Sequence, residues 1–121
     1  MSVIRFEDLE CWKKAKSLAV ELYAISNKGE FGKDFSFKDQ VRRAAISIAS
    51  NIAEGKERET VSEFIRYLYI AKGSAGELKT HLLIAQEIGY LDGECSSSLE
   101  TKVEHVSAMI GALIRTLKDG R

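Results

Sequence analysis

Between Val61 and Ala85 an apolar residue returns every three or four positions without a break: Val61, Phe64, Leu68, Ala71, Ala75, Leu78, Leu82 and Ala85. That spacing, close to 3.5, places all of them on one side of a helix and is the seam of helices packed almost parallel or antiparallel. A helix running over about 61–88 cannot bury such a seam alone. It requires partners of similar length, and the rest of the chain supplies three. Segment 8–27 repeats Trp12, Ala15, Leu18, Ala19, Leu22 and Ile25, segment 37–54 repeats Phe37, Val41, Ala44, Ala45, Ile48 and Ile52, and segment 98–118 repeats Leu99, Val103, Val106, Ile110, Leu113 and Leu117. No window alternates as a strand would. The pattern predicts an all-α fold, one domain over 1–121, built as an up-down-up-down antiparallel four-helix bundle, because short connections favour antiparallel neighbours.

Proline is absent, so helix ends must come from Gly, Asn, Asp and Ser. Asp8 is the expected cap of the first helix, and Asn27-Lys28-Gly29 its stop. Ser36 opens the second, which Gly55 ends. Thr60 with Glu63 forms a capping box for the third, and Gly89 stops it. Ser97 with Glu100 opens the fourth. The loop from Gly29 to Phe35 carries two aromatics, Phe31 and Phe35, and is expected to pack down. Cys11 and Cys95 fall at opposite ends of such a bundle. A helix of 20 residues is about 30 Å long, well past the roughly 7 Å Cα separation that a disulfide tolerates.

Charge and composition exclude several classes. Lys plus Arg and Asp plus Glu both total 18, so no overall field draws the protein to nucleic acid or anionic membrane. No apolar run spans a bilayer, and Met1–Leu9 lacks the core of a leader, so a cytoplasmic setting away from membranes is expected. A helical bundle invites a di-iron centre built on Glu-x-x-His. Here Glu77 precedes His81 by four residues and Glu104 is adjacent to His105, so neither fits. No metal, cofactor or nucleophile–base set is expected, and the protein is not expected to be an enzyme. The competing reading is a small metal-binding or enzymatic bundle using Glu54, Glu77 and His81.

Two surfaces exceed what one bundle needs. Removing the seam from the third segment leaves a second stripe of Ile65, Tyr69, Gly73, Gly76, Leu83 and Ile84, with Thr80 inside it. Each helix-interior glycine costs about 1 kcal/mol relative to alanine. The stripe is either a kink or tight packing within the bundle, or a seam between protomers that the glycines let come close. Ile46, Ala49 and Ala53 likewise project from the main stripe of the second segment. Since monomers rarely leave two such faces to solvent, a homo-oligomer is expected, with these residues at its interface. Gln40, Arg43, Ser47, Asn51 and Glu54 step along one arc of the second segment, and Ser, Asn and Gln suit hydrogen bonds better than a plain wet face. A polar network is expected there, with Glu77 paired to Arg43. The local cations Arg42, Lys56, Arg58 and Arg66 are the candidate nucleic-acid contacts, although Lys56-Glu57-Arg58-Glu59 alternates in sign.

The run Gln40-Val41-Arg42-Arg43-Ala44-Ala45, then Ser47-Ile48 and Asn51-Ile52-Ala53-Glu54-Gly55 with Arg58, resembles the signature of the four-helix-bundle proteins encoded in intervening sequences of 23S ribosomal RNA genes. Glu63-Phe64, Ile70-Ala71-Lys72-Gly73-Ser74, Glu77-Leu78, Thr80 and Gly89-Tyr90 extend the likeness, and Asp8-Leu9, Trp12 and Ala15 fit its first helix. One departure lies before the second helix, where the family often carries Pro before Glu and this chain has Gly29-Glu30-Phe31. The resemblance implies a ring-shaped homopentamer. It also implies a kinship with accessory proteins of diversity-generating retroelements, which engage a reverse transcriptase and nucleic acid. RNA or a nucleic-acid-handling protein is thereby an expected partner.

Overall fold

The structure, a computed structural model, describes residues 4–120. A 3-10 turn at Phe6–Asp8 precedes α1 (Glu10–Ile25), a short α2 (Gly29–Lys33), α3 (Phe35–Lys56), α4 (Val61–Glu87) and α5 (Gly93–Asp119). There is no strand among the described residues. The four long helices pack in the order α1, α3, α4, α5 around one core, with α1 against α5 the thinnest of the four seams. Most of the expected apolar repeats form that core: Ala15, Leu18 and Leu22 from α1, Val41, Ile48 and Ile52 from α3, Leu68, Leu78 and Leu82 from α4, and Leu99, Val103 and Ile110 from α5 are all buried, whereas Val61, in the first turn of α4, is exposed and Ile114 takes the buried place expected of Leu113.

The helix ends differ from the sequence expectation where capping groups had rivals. Asp8 caps the 3-10 turn, accepting from the Arg5 amide at 3.1 Å, and α1 begins after it. Asp34, not Ser36, caps α3 by accepting from Phe37 N at 3.1 Å, so the helix starts two residues early. Asp92 caps α5 by accepting from Cys95 N at 2.7 Å, ahead of Ser97. In both cases a carboxylate outcompetes a later serine, because an anion also meets the positive end of the helix dipole. Thr60 caps α4 as expected, taking the Glu63 amide at 3.1 Å.

The glycines sort by backbone conformation. Gly89 has φ of 83°, and the Tyr90 amide reaches back to the Ala85 carbonyl at 2.8 Å, a Schellman stop for α4. Gly55 is no stop. It lies inside α3 without a positive φ, and a Cβ on it would fall 2.7 Å from Tyr67 Cβ and 3.0 Å from Phe64 Cδ1. Its role is to let the end of α3 touch the start of α4.

The segment between α1 and α3 packs down by one of its aromatics. Phe31 is buried and stacks on Tyr90 at 5.4 Å and beside Phe37 at 5.6 Å. Phe35 is 73% exposed. Asp34 also accepts from the Tyr90 hydroxyl at 2.7 Å, tying the start of α3 to the α4–α5 turn. Both cysteines are free, Cys11 in the core and Cys95 half-buried.

Candidate functional site

The second stripe of α4 is present and largely uncovered within the protomer, with Lys118 of α5 reaching only Tyr69. Tyr69 is 49% exposed, Leu83 and Ile84 are also exposed, and α4 runs through Gly73 and Gly76 unbroken. A Cβ on either glycine would meet nothing within 4 Å. Tight packing inside the bundle is therefore excluded as their reason. Ile65 is a correction: it is 6% exposed and belongs to the bundle's own core. A helix touching two neighbours buries more than one seam, and Ile65, three residues before Leu68, falls on that wider flank.

A second apolar surface lies on another side of the molecule. Ile46 and Ala49 join Trp12, Val20 and Tyr23 to line a groove between α1 and α3. Val20 and Ile46 are exposed there. Ala53 is half-buried one turn further along α3.

The polar arc of α3 holds a smaller network than expected. The Ser47 hydroxyl meets the Ser74 hydroxyl of α4 at 2.9 Å, and Asn51 Nδ2 donates to the Ser47 carbonyl at 2.8 Å and hydroxyl at 2.9 Å. Ser74 was not singled out from the sequence, although its place beside Gly73 on α4 carries it to the seam. Arg43 does not pair with Glu77. Its Nε donates to Asp39 at 2.9 Å, a partner one turn back on the same helix that needs no ordering across the seam. Gln40, Arg43, Ser47 and Glu77 instead line a shallow polar depression between α3 and α4. Glu54 pairs with Arg58 at 3.5 Å.

The four candidate cations do not form one patch. Arg42 folds back on the end of α1, donating to Ser26 Oγ at 2.9 Å and to the Tyr23 carbonyl at 3.1 Å, with its guanidinium over the Tyr23 ring. Lys56 is fourteen residues further along α3, about 21 Å at the helical rise. Arg58 lies over the Tyr67 ring, donates to its hydroxyl and is flanked by Glu54 and Glu63. These contacts hold its proton still more firmly, the Tyr67 hydrogen bond most of all. Arg66 sits near the same ring at 5.8 Å.

A different set of cations gathers on the α4–α5 face. Lys72 Nζ and Arg115 Nη1 each lie 3.7 Å from where a Cβ on Gly111 would be. Lys72 also donates to Ser107 Oγ at 3.1 Å, and Lys118 to the Tyr69 hydroxyl at 2.9 Å. No Asp or Glu occurs in 64–76 or in 105–118, the stretches of α4 and α5 that carry these groups. The signal was in the sequence, as two acid-free runs, but only antiparallel pairing brings them side by side.

Glu54, Glu77 and His81 are not assembled. The two carboxylates are exposed, His81 is buried, and among the described residues no three His, Cys, Asp or Glu side chains converge as a metal would require. His81 lies edge-on to Phe37 at 5.9 Å, and its buried Nδ1 has no hydrogen-bond partner. No helix of the described residues is long and apolar enough to cross a membrane.

Four long helices around one core, with a Ser–Ser–Asn link across the α3–α4 seam, define the class: an antiparallel four-helix bundle that leaves two apolar surfaces exposed. Residues 7–112 match the family described as 23S rRNA-intervening sequence protein, and the chain belongs to that family. Its fold is similar to that of a protein of unknown function from the S23 ribosomal protein family of Bacteroides thetaiotaomicron. The TM-score is 0.79 at 23% identity, covering 86% of this chain and 97% of that one. No curated protein matches the chain.

Proposed function

We propose that this protein is a non-enzymatic homo-oligomeric scaffold of the cytoplasm, closing as a ring through two unlike faces. The observation that carries this is the pair Gly73 and Gly76, bare of neighbours in the middle of an unbroken helix and flanked by exposed Tyr69, Leu83 and Ile84. Two glycines disfavour α4 by about 2 kcal/mol together, and no close approach within the protomer requires them. A neighbouring copy approaching the backbone does. Its contact surface is the α1–α3 groove with Ile46 and Ala49, so the interface joins different patches and repeats head to tail until it closes. The likeness to ring-shaped relatives favours five copies. Light scattering at micromolar concentration should give a mass several times 13.5 kDa. Gly76→Leu should reduce it to the protomer while leaving the helical signal intact, and a wild-type monomer would overturn the proposal.

The cations around Gly111 on the α4–α5 face support a second reading, in which the scaffold engages RNA or a ribonucleoprotein. Lys72, Arg115 and Lys118 supply three cations uncompensated by carboxylates on their own helical stretches. Ring symmetry would multiply three weak contacts into a useful affinity. Binding to a single-stranded RNA should weaken steeply with salt, and K72E/R115E/K118E should flatten that slope. Salt-independent binding, or none, would count against it.

A further inference from the structure

We infer that the cleft between α1 and α5 is a binding site for a small amphipathic monoanion: a compact apolar body bearing one carboxylate, sulfonate or phosphodiester head. The cleft has a volume of about 350 Å³, within the range of small-molecule sites, and it opens along the thinnest seam of the bundle. Its floor is apolar, formed by Leu18 and Val106, both almost completely buried. Ser17 and Thr101 stand on its walls, one from each helix. The Thr101 hydroxyl proton is given to the Ser97 carbonyl at 3.0 Å, which leaves that oxygen as an acceptor, while the Ser17 hydroxyl is uncommitted among the described contacts.

Charge decides the ligand's sign. Lys102 donates to both Glu21 oxygens, at 2.8 and 2.9 Å, so that pair closes one end of the cleft as a neutral unit. Lys14 stands at the other end, seven residues back along α1, about 10 Å at the helical rise. His105, one turn beyond Lys102 on α5, faces the same space. Neither Lys14 nor His105 is paired with a carboxylate among the described residues. The cleft thus offers an apolar floor, one cation without a carboxylate partner and an imidazole at its rim. A cationic or purely apolar ligand would leave the Lys14 charge unanswered, whereas an anionic head on an apolar body satisfies both features.

This site shares no lining residue with the oligomer and RNA readings, whose residues lie in the α1–α3 groove, on the outer face of α4 and on the α4–α5 side. The test uses 1-anilinonaphthalene-8-sulfonate, an apolar body with one anionic head, on the intact protein with methyl-labelled NMR detection. The expected result is saturable binding that shifts the Leu18 and Val106 methyls. Lys14→Glu should weaken it about five- to tenfold, and Ser17→Trp, on the cleft wall, should abolish it. Ile46→Glu, in the other groove, should leave it unchanged. Shifts centred on Val20 and Ile46, or an affinity indifferent to both Lys14→Glu and Ser17→Trp, would overturn the assignment.

Discussion

His81 and Asp34 show how much a single side chain says once its surroundings are known. His81 puts a polar nitrogen among Phe37 and the α4 core with nothing to bond. An unsatisfied buried group of this kind costs about 1–3 kcal/mol. His81→Leu, of similar volume, should therefore leave stability unchanged or raise it by about 1 kcal/mol, as read from urea unfolding. Asp34 behaves oppositely. The Tyr90 hydroxyl, and then the Phe37 amide, hold its carboxyl below the usual value, and the same bond holds the Tyr90 phenol above its own. A lowered carboxyl stabilises the fold above its unfolded pKa, and that contribution is lost as pH falls through the folded one. A raised phenol stabilises below its unfolded pKa and loses that contribution as pH climbs past the folded one. Tyr90→Phe should accordingly make melting temperature less dependent on pH both below about pH 4 and above about pH 10. Neither role was visible in the chain alone, because His81 meets Phe37, and Tyr90 meets Asp34, only when the start of α3 closes against α4 and the α4–α5 turn.

At the scale of elements, the four periodic segments were legible because their buried sets recur at helical spacing for four turns or more, and every one of them became a long helix. The ends were legible less well. Serines at 36 and 97 looked adequate as caps until Asp34 and Asp92, just upstream, took the exposed amides. Glycine was the least readable residue, since the same letter serves three ends. Gly89 turns the chain, Gly55 admits a neighbouring helix, and Gly73 with Gly76 leave open space. These roles predict different outcomes for one methyl group. Gly55→Ala should destabilise by about 1–3 kcal/mol, through overlap with Tyr67 and Phe64. At concentrations too low for assembly, Gly73→Ala should stabilise the protomer by roughly 1 kcal/mol, the gain of alanine in a helix, and so raise the melting temperature. At concentrations where the wild type is assembled, the same change should lower it. Paired melts at two concentrations check both signs.

Over the whole molecule, a net charge of zero conceals segregation. Carboxylates are missing from 64–76 and 105–118 and gather elsewhere on the same helices, as at Glu77, Glu87, Glu100 and Glu104. Counting by segment could have found the runs, but their adjacency is a product of topology. The sequence candidates Arg42 and Arg58, by contrast, each lie over an aromatic ring and hold a local partner. The oligomeric reading makes a thermodynamic prediction at this scale. Melting temperature should rise with protein concentration as mass action favours the bound faces, and Ile84→Glu should remove that dependence without altering the protomer's helicity.

The stripe and the groove reside on different helices, so damage to one leaves the other fit for use. A copy carrying Ile84→Glu would still accept a healthy neighbour on its intact side, and would end the growing arc there like a blank tile. Mixed in as a minority, such copies would poison closure out of proportion to their number, a dominance that a two-fold pair of identical patches would not show.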